Sequence, residues 1–555
     1  MPGCYVTRRD LLRWTAFAAA AAPAGAGLLL PTRPAGAAGA TGATGATGGV
    51  TASDLELVTL TEDRAIITWW SGATGSTDDL GRLEPTPADA VVEWGTDPAR
   101  LDRTATSDRT DTPYHRVELT GLEPGRTYHY RARSNGVLAT PTRFNLIAGN
   151  AVSTEAGEAT GEGPFAFTVP EPPPGDHLFS VVLCNDMHVG ETVAGKVGDI
   201  PALAGVSQVP GLPPYPEVMF GSLVDDAAAL GARYLLAAGD ITAEAEPADL
   251  ATARRFFDRF GDRHADWWAA RGNHDRAHEG EPWATCRAGR WQGHDCFVDQ
   301  FFPDGSPTYV AEDLNGLRVI GLDTYDKPGD GGDAGGIGEE QMAWFREELG
   351  ADPDQPTLVF GHHPLLVEGS PYPSTPGGSL DADQAAEVQA LYADHPGVFL
   401  HHAGHTHRNK RSALPGAPGV VHQEVAAVKE YPGGFTLLRV HTGGYALNFH
   451  KSTSDEARAW SERSRTQIGG SWPQFSLGSR VADRNAVVER DLSDLRPAPA
   501  SATAPAAAAS DRAARNGSGD DGLPTEVLAG AGVALVAAGA GGVLAWRRRT
   551  ESPPS

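Results

Sequence analysis

Five short segments of this chain are loaded with aspartate, asparagine and histidine, and most of them follow a strand-sized apolar run. They are Asp186-Met187-His188, Gly239-Asp240, Gly272-Asn273-His274-Asp275, Gly361-His362-His363-Pro364 and Gly404-His405-Thr406-His407. The runs before them include Leu178–Cys184, Tyr234–Ala238, Thr357–Phe360 and Val398–Leu400. Between the runs lie helical patterns at Leu223–Leu230, Leu250–Phe260 and Gln341–Leu349, with Phe256, Phe257, Phe260, Trp344 and Phe345 expected in the core. Strands alternating with helices predict an α/β sheet with parallel strands. In such a sheet the crevice lies beyond the carboxyl ends of the strands, so residues far apart in sequence converge on one pocket.

Their chemistry is that of metal ligands. Imidazole, carboxylate and amide oxygen together suit Mn, Fe, Zn or Co, and the donor set does not choose among these ions. A lone histidine of this kind is ordinarily a surface or hydrogen-bonded core residue. Here the ordered set carries the inference.

These five segments, in this order, resemble the signature of the calcineurin-like metallophosphoesterases. The resemblance implies two mixed β-sheets flanked by helices and a site for two metal ions roughly 3.5–4 Å apart, which lower the pKa of a bridging water and clamp phosphoryl oxygens. Asp186, His188 and His407 would hold the first ion, and Asn273, His362 and His405 the second, with Asp240 bridging. His362 rather than His363 matches the family position. His274 would face the substrate, stabilise the phosphoryl oxygens and protonate the departing alkoxide. Asp275 would orient its imidazole and favour the charged form.

Residues 55–170 follow another pattern: short alternating strands at Arg64–Trp70, Ala90–Trp94, Tyr114–Leu119 and Thr127–Arg133, separated by turns. This predicts a β-sandwich. His115 to Tyr130 is similar to the end of strand E, the turn and strand F of fibronectin type III domains. Leu122 would then plug the sandwich, and Tyr128 and Tyr130 would alternate faces. Trp69, Trp70 and Trp94 read as packing residues rather than a carbohydrate site. A similar module precedes the catalytic domain of purple acid phosphatases. Those enzymes use a tyrosine three residues after the bridging aspartate, where this chain has Ala243, and a glycine where it has His188. Their iron-tyrosinate chromophore is therefore not expected. Exported 5′-nucleotidases resemble the same core but carry a large domain after it, for which residues 453–495, read as a C-terminal extension of a 177–452 catalytic domain, are too few.

Both ends read as addresses. Residues 1–40, with Arg8-Arg9 before an Ala-rich run, resemble a twin-arginine export signal, with an ordinary secretory leader as the alternative. A Gly/Ala/Thr linker covers 41–54. Residues 496–522 read as a disordered stalk. Residues 527–546 read as a transmembrane anchor before Arg547-Arg548-Arg549, preferred over wall attachment through the degenerate Leu523-Pro524-Thr525-Glu526. The 71 acidic residues against 45 basic ones give a net charge of −26, which disfavours nucleic acid as a partner.

Cys286 and Cys296 share one loop and are expected to pair in an exported protein; Cys4 lies in the leader and Cys184 in a buried strand. Three insertions, Val189–Phe220, Arg276–Asp299 and Asp326–Gly338, flank the motifs and would set substrate choice. The first could form a lid. The last reads as a polar turn, with a calcium loop as the alternative. The whole predicts an exported, surface-anchored metal-dependent phosphoesterase acting on small phosphomono- or phosphodiesters. A dedicated phosphodiesterase for cyclic nucleotides or glycerophosphodiesters, and a non-catalytic adhesion or scaffold protein, are the other readings.

Overall fold

Alternation along the strands builds both halves of the molecule. The computed structural model describes residues 49–107, 109–141, 163–196, 205–328, 332–366, 378–467 and 473–499. The export signal, most of the linker, the sorting-like segment and the anchor expected at 527–546 lie outside these residues. Among the described residues no helix is long and apolar enough to cross a membrane.

The first eight strands are β1 (Val50–Leu60), β2 (Arg64–Ala73), β3 (Val91–Gly95), β4 (Arg103–Thr106), β5 (Tyr114–Thr120), β6 (Thr127–Ser134), β7 (Val137–Leu138) and β8 (Phe165–Thr168). They form two sheets, β1-β2-β5 and β4-β3-β6-β7 with β8 on β6. Inward residues of both sheets, including Ile67, Trp69, Trp94, Val117, Leu119 and Leu122, close one core. Trp69, Trp70 and Trp94 are all buried, as expected of packing residues. Tyr128 and Tyr130 do not alternate faces. Residues two apart on a strand share a face, and both rings are buried in this core.

The second half contains β9 (His177–Cys184), the short pair β10 (Val193–Ala194) and β11 (Val206–Ser207), β12 (Tyr234–Ala238) and β13 (Trp267–Ala270). Then follow β14 (Val310–Leu314), β15 (Leu317–Leu322), β16 (Thr357–Gly361), β17 (Val398–Ala403), β18 (Lys410–Leu414) and β19 (Ala417–Glu424). The last strands are β20 (Gly434–His441), β21 (Gly444–Lys451) and β22 (Asn485–Glu489). Two six-stranded mixed sheets result, ordered β13-β12-β9-β20-β21-β22 and β14-β15-β16-β17-β19-β18. β9, β12 and β13 run parallel, as do β15, β16, β17 and β19.

Side chains two apart separate cleanly. Val181 and Leu183 of β9 meet Leu317, Val319, Leu358 and Phe360 between the sheets. Val182 and Cys184 face the helices Tyr215–Ala229 and Pro247–Phe260 on one outer side. Ile320, Leu322 and Val359 face the helices Glu339–Ala351 and Ala382–Asp394 on the other. Each helix buries a stripe narrower than its aromatics suggest: Phe257 and Phe345 are buried, whereas Phe256, Phe260 and Trp344 are half-buried. The described parts of 453–495 are built into this body: β22 completes the first sheet and the helix Asp455–Ser464 packs beside the sandwich strand β5. The stretch expected to be disordered from 496 starts docked, with Arg496 N donating to the Asn315 carbonyl at 2.9 Å.

Candidate metal centre

Five parallel strands, three from one sheet and two from the other, deliver every candidate ligand to one edge. Asp186 and His188 follow β9, Asp240 follows β12, Asn273 and His274 follow β13, His362 follows β16, and His405 and His407 follow β17. The loops are stitched together by their backbones. Asp186 N donates to Gly239 O and His188 N to Asp240 O, both at 3.0 Å, and Gly404 N donates to His362 O at 3.0 Å.

The chain bends sharply to do this. Asp186, His188, Asp240, His405 and His407 all have positive φ, between 46° and 68°. Such backbone is costly for non-glycine residues and collects at functional sites. The glycines beside them serve close approach. A Cβ on Gly239 (φ 81°) would meet His362 Cβ at 2.7 Å, and one on Gly272 would meet Asp240 Oδ1 at 2.1 Å.

Ligand atoms converge closely. His362 Nδ1 donates to the Ala238 carbonyl at 2.8 Å, which turns Nε2 toward the centre. That atom faces Asn273 Oδ1, His405 Nδ1 and Asp240 Oδ2, each at 3.1 Å. On the other side of Asp240, His188 Nε2 lies 3.4 Å from Asp240 Oδ2 and 3.6 Å from Asp186 Oδ1. His407 Nε2 lies 3.1 Å from Asp186 Oδ1. Asp186 Oδ1 and His188 Nε2 are buried without a hydrogen-bond partner. Buried polar atoms are rarely left so in folded proteins. Asp186/His188/His407 and Asp186/Asp240/His362 are groups whose ligand atoms all lie within 4.8 Å of one another, so the His/Asp clusters fit a dinuclear metal site.

Electrostatics point the same way. Burial opposes a charge on His407, but Asp186 and Glu430 outweigh it and hold the imidazole up to about 9. His188 and His362 are likewise raised, the first by the facing Asp186, Asp240 and Glu191 carboxylates against burial and Lys429, the second by the Asp240 charge against burial. Asp186 and Asp240 are held well below the usual carboxylate range, against burial, by His407 and His362 foremost. The centre pulls positive charge inward, and a metal ion that binds there releases these protons.

His363 is different. Its Nδ1 pairs with Thr324 Oγ1 at 2.8 Å and its Nε2 donates to Asp333 O at 3.0 Å, so both ring nitrogens are occupied, although it too lies within 4.8 Å of His362 and His405. His274 donates from Nδ1 to the Ala243 carbonyl at 2.7 Å, and its ring lies beside that of His188, 4.5 Å between centroids, with Asp240 close by. Burial, only partly offset by Asp240, pushes His274 down to about 4, so the charged form expected from the sequence is not the resting one. The expected contact with Asp275 is replaced as well. The Asp275 carboxylate accepts from Ile241 N, Thr242 N, Thr242 Oγ1 and Gly272 N at 2.9–3.1 Å, and so ties the β12 and β13 loops together. Three backbone amides from two loops and one hydroxyl satisfy it better than one ring nitrogen would.

Three acidic or basic residues escaped the sequence reading. Glu430 accepts from His407 Nδ1 at 2.8 Å, Glu191 Oε2 lies 3.2 Å from His188 Nδ1, and Lys429 Nζ reaches Glu191 at 2.5 Å and Glu430 at 3.7 Å. Partners of this kind fix which nitrogen of a ligand histidine is free. Lys429-Glu430 lies just past β19, so the strand-end rule applied to β19 would have found it. In the Asp326–Asp333 loop, Asp326 accepts from Trp291 Nε1 and Gln341 Nε2, and Asp333 from Asn273 Nδ2; residues 329–331, on which the calcium alternative also depends, lie outside the described residues. Cys286 and Cys296 form a disulfide, and Cys184 is a buried free thiol. The flank Val189–Phe220 supplies Glu191 and Tyr215, whose hydroxyl donates to Glu191 at 2.5 Å; its middle, 197–204, lies outside the described residues.

Residues 179–409 match the calcineurin-like phosphoesterase family, and residues 52–145 match the purple acid phosphatase N-terminal domain. A protein of Arcobacter nitrofigilis named "Probable glycerophosphodiester phosphodiesterase" is 30% identical over 110 residues, 20% of this chain and 38% of that protein. A Synechococcus protein named "Probable cyclic nucleotide phosphodiesterase" is 28% identical over 174 residues, 31% of this chain and 57% of its own. The chain thus spans less than two thirds of the length of either. Among solved structures, a dimetal phosphatase from Danio rerio is 16% identical, covering 50% of this chain and 98% of its own, with TM-score 0.38. A purple acid phosphatase from yellow lupin seeds is 16% identical, covering 73% of each chain, with TM-score 0.35.

Proposed function

We propose that this chain, a calcineurin-like metallophosphoesterase with a purple acid phosphatase N-terminal domain, hydrolyses phosphomono- or phosphodiesters outside the cytoplasm with two bound metal ions. The observation that carries the reading is the convergence of ligand atoms around Asp240, with the second nitrogen of His362 and His407 already committed to an acceptor. Asp186, His188 and His407 would hold one ion, Asn273, His362 and His405 the other, and Asp240 both. When bound, the ions supply Lewis acidity and lower the pKa of a water between them.

The residues do the rest. Glu191 and Glu430 keep His188 and His407 in the tautomer that presents Nε2, and Lys429 holds the two carboxylates in place. Asp275 fixes the distance between the loops that carry Asp240 and Asn273. His274 enters neutral, so the proton needed by the departing alkoxide reaches its Nε2 from a protonated phosphoryl oxygen or from solvent. The imidazole relays that proton rather than storing it. His274→Ala is expected to lower kcat roughly 100- to 10,000-fold, the range of general acid–base help, with both ions retained. Full activity in this variant would remove His274 from the mechanism. At the position that would carry a metal-bound tyrosine stands Ala243, so the loaded protein is expected to be colourless or weakly coloured.

The names of the two curated relatives favour a diesterase as the second reading. Rates on a nitrophenyl phosphate monoester and on its bis-ester, measured on the same metal-loaded sample, separate the two. A faster bis-ester selects the diesterase, a faster monoester the phosphatase, and no hydrolysis of either overturns the enzyme reading in favour of a scaffold. The disulfide supports export to an oxidising compartment. Export through the twin-arginine machinery and anchoring in the membrane are part of the proposal. Protease treatment of intact cells, which should release activity, checks both.

A further inference from the structure

The loop after β12 carries more than Asp240. It bends through positive φ at two non-glycine residues, Asp240 at 49° and Ala245 at 50°. Backbone of that kind persists only where its surroundings fix it. Between the two bends lies Ala243, whose carbonyl accepts from His274 Nδ1 at 2.7 Å. That bond sets the tautomer of the imidazole and leaves Nε2 as the nitrogen that takes up and passes on a proton. Whatever aims the Ala243 carbonyl therefore aims His274.

Contacts on both sides hold the Ala243–Glu244 peptide. Before it, Ala243 N donates to Val189 O at 3.0 Å. After it, Ala245 N donates to Thr242 Oγ1 at 3.0 Å, and Trp283 Nε1 donates to Glu244 O at 2.8 Å. The first two come from the loops that carry His188 and Asp240. The third comes from the insertion between β13 and β14, 39 residues further along the chain.

Trp283 is itself firmly placed. It opens the short turn Trp283–Thr285, and its carbonyl accepts from Cys286 N at 2.8 Å. Cys286 is bonded in turn to Cys296. The indole stacks on the His278 ring at 4.6 Å, with 20° between the planes, and packs against the core that holds Ala245, Cys296 and Phe297. His278 and His294 exchange both backbone hydrogen bonds, at 3.0 and 2.7 Å. The insertion is thus cross-linked and paired, and presents one N–H to the loop beside His274.

We propose that Trp283 is a positioning residue for the proton relay: its indole N–H fixes the Glu244 carbonyl, the Ala243–Glu244 peptide keeps its direction, and the Ala243 carbonyl holds His274 ready for the departing alkoxide. The inference rests on the phosphoesterase reading and on the place of His274 in it. It gives the disulfide-bearing insertion a task in turnover.

The test is a double-mutant cycle on the metal-loaded protein. Trp283→Phe keeps an aromatic ring against His278 and removes the N–H. Small misplacements near a reacting group cost up to roughly 100-fold, so kcat should fall about 10- to 100-fold, with KM and metal content unchanged. In the His274→Ala background the same substitution should lower kcat no further, because groups that act through one another are not additive. Wild-type kcat in Trp283→Phe, or an equal loss with and without His274, overturns the proposal. Trp283→Met, a second variant without the donor, takes the same place in the cycle if the first does not fold. Proton–nitrogen spectra of the histidine side chains read the contact without turnover. The His274 signal, identified by its loss in His274→Ala, should shift in Trp283→Phe, and an unmoved signal overturns the proposal. If no ester is hydrolysed yet that signal shifts, the positioning contact stands and the hydrolase reading falls.

Discussion

Two clusters of buried charge in this molecule use similar residues to opposite ends. At the contact between the sandwich and the second half, Glu56 of β1 meets Arg465 at 2.7 Å and Lys451 at 3.2 Å, and Glu462 meets the same two cations at 2.7 and 3.2 Å. Tyr431 donates its hydroxyl to Glu56. Two carboxylates face two cations, and every carboxylate oxygen is engaged. At the candidate metal centre, Asp186, Asp240 and Glu430 are buried and Glu191 half-buried around one lysine, Lys429, and ligand atoms face one another across 3.1–3.6 Å. The first cluster pairs its carboxylates internally and joins the sandwich to the second half. The second turns ligand atoms toward one another on backbone bent into positive φ, open to the metal ions its donor set fits. Charge balance and donor direction, rather than burial or residue type, tell a fastening from a site.

Breaking the open cluster should have the largest effect. Asp240→Asn removes the group proposed to hold both ions, and activity should fall beyond the roughly 10- to 100-fold that loss of an outer partner costs. Metal content should fall with it, read by elemental analysis of the same sample. Next comes the closed cluster. Glu56→Ala leaves Arg465 and Lys451 with one carboxylate between them, and losing a partner in a buried pair costs about 3–5 kcal/mol. Denaturant unfolding should show that loss, while metal content and kcat of the folded protein stay at wild-type levels. A variant that lost activity without losing stability would erase the distinction between the clusters.

Glu430→Gln sharpens the comparison from the other side. It keeps the shape beside His407 and removes the charge that orients it, so metal affinity or activity should drop roughly 10- to 100-fold with little change in unfolding free energy. The smallest effect is in pH. Burial disfavours the Glu462 carboxylate, but Arg465 and Lys451 outweigh it and hold it down to about 2, against an ordinary value of 4.5. A carboxyl depressed in the folded state contributes stability that is complete above its unfolded pKa and fades as pH falls through the folded one. Stability from this contact should therefore be flat above pH 5 and decline toward pH 2. The Glu462→Gln variant should decline less steeply over that range.

The sequence showed the β-strand runs and the ligand segments because both obey local rules: period-two alternation for the one, donors just past a strand for the other. Tyr234–Ala238 and Leu317–Leu322 are strands to the residue. What it hid depends on contacts across the chain. Asp275 follows His274 in sequence, yet its carboxylate is drawn to three backbone amides and a hydroxyl that only the assembled loops bring near. Lys429 and Glu430 lie about 240 residues from Glu191, and no spacing rule joins them. His362 and His363 are adjacent and alike, and only the Thr324 hydroxyl and the Asp333 carbonyl show which ring is already satisfied.

The central claim is that the centre around Asp240 is built for two ions and stays incomplete without them. Elemental analysis of the protein purified from its own host, under native conditions and normalised to chain concentration, tests it most directly. The account predicts close to two transition-metal ions per chain, released together with phosphoesterase activity on chelation and restored together on return of metal. A protein that hydrolyses phosphate esters at full rate with one ion per chain, or with none, would contradict it.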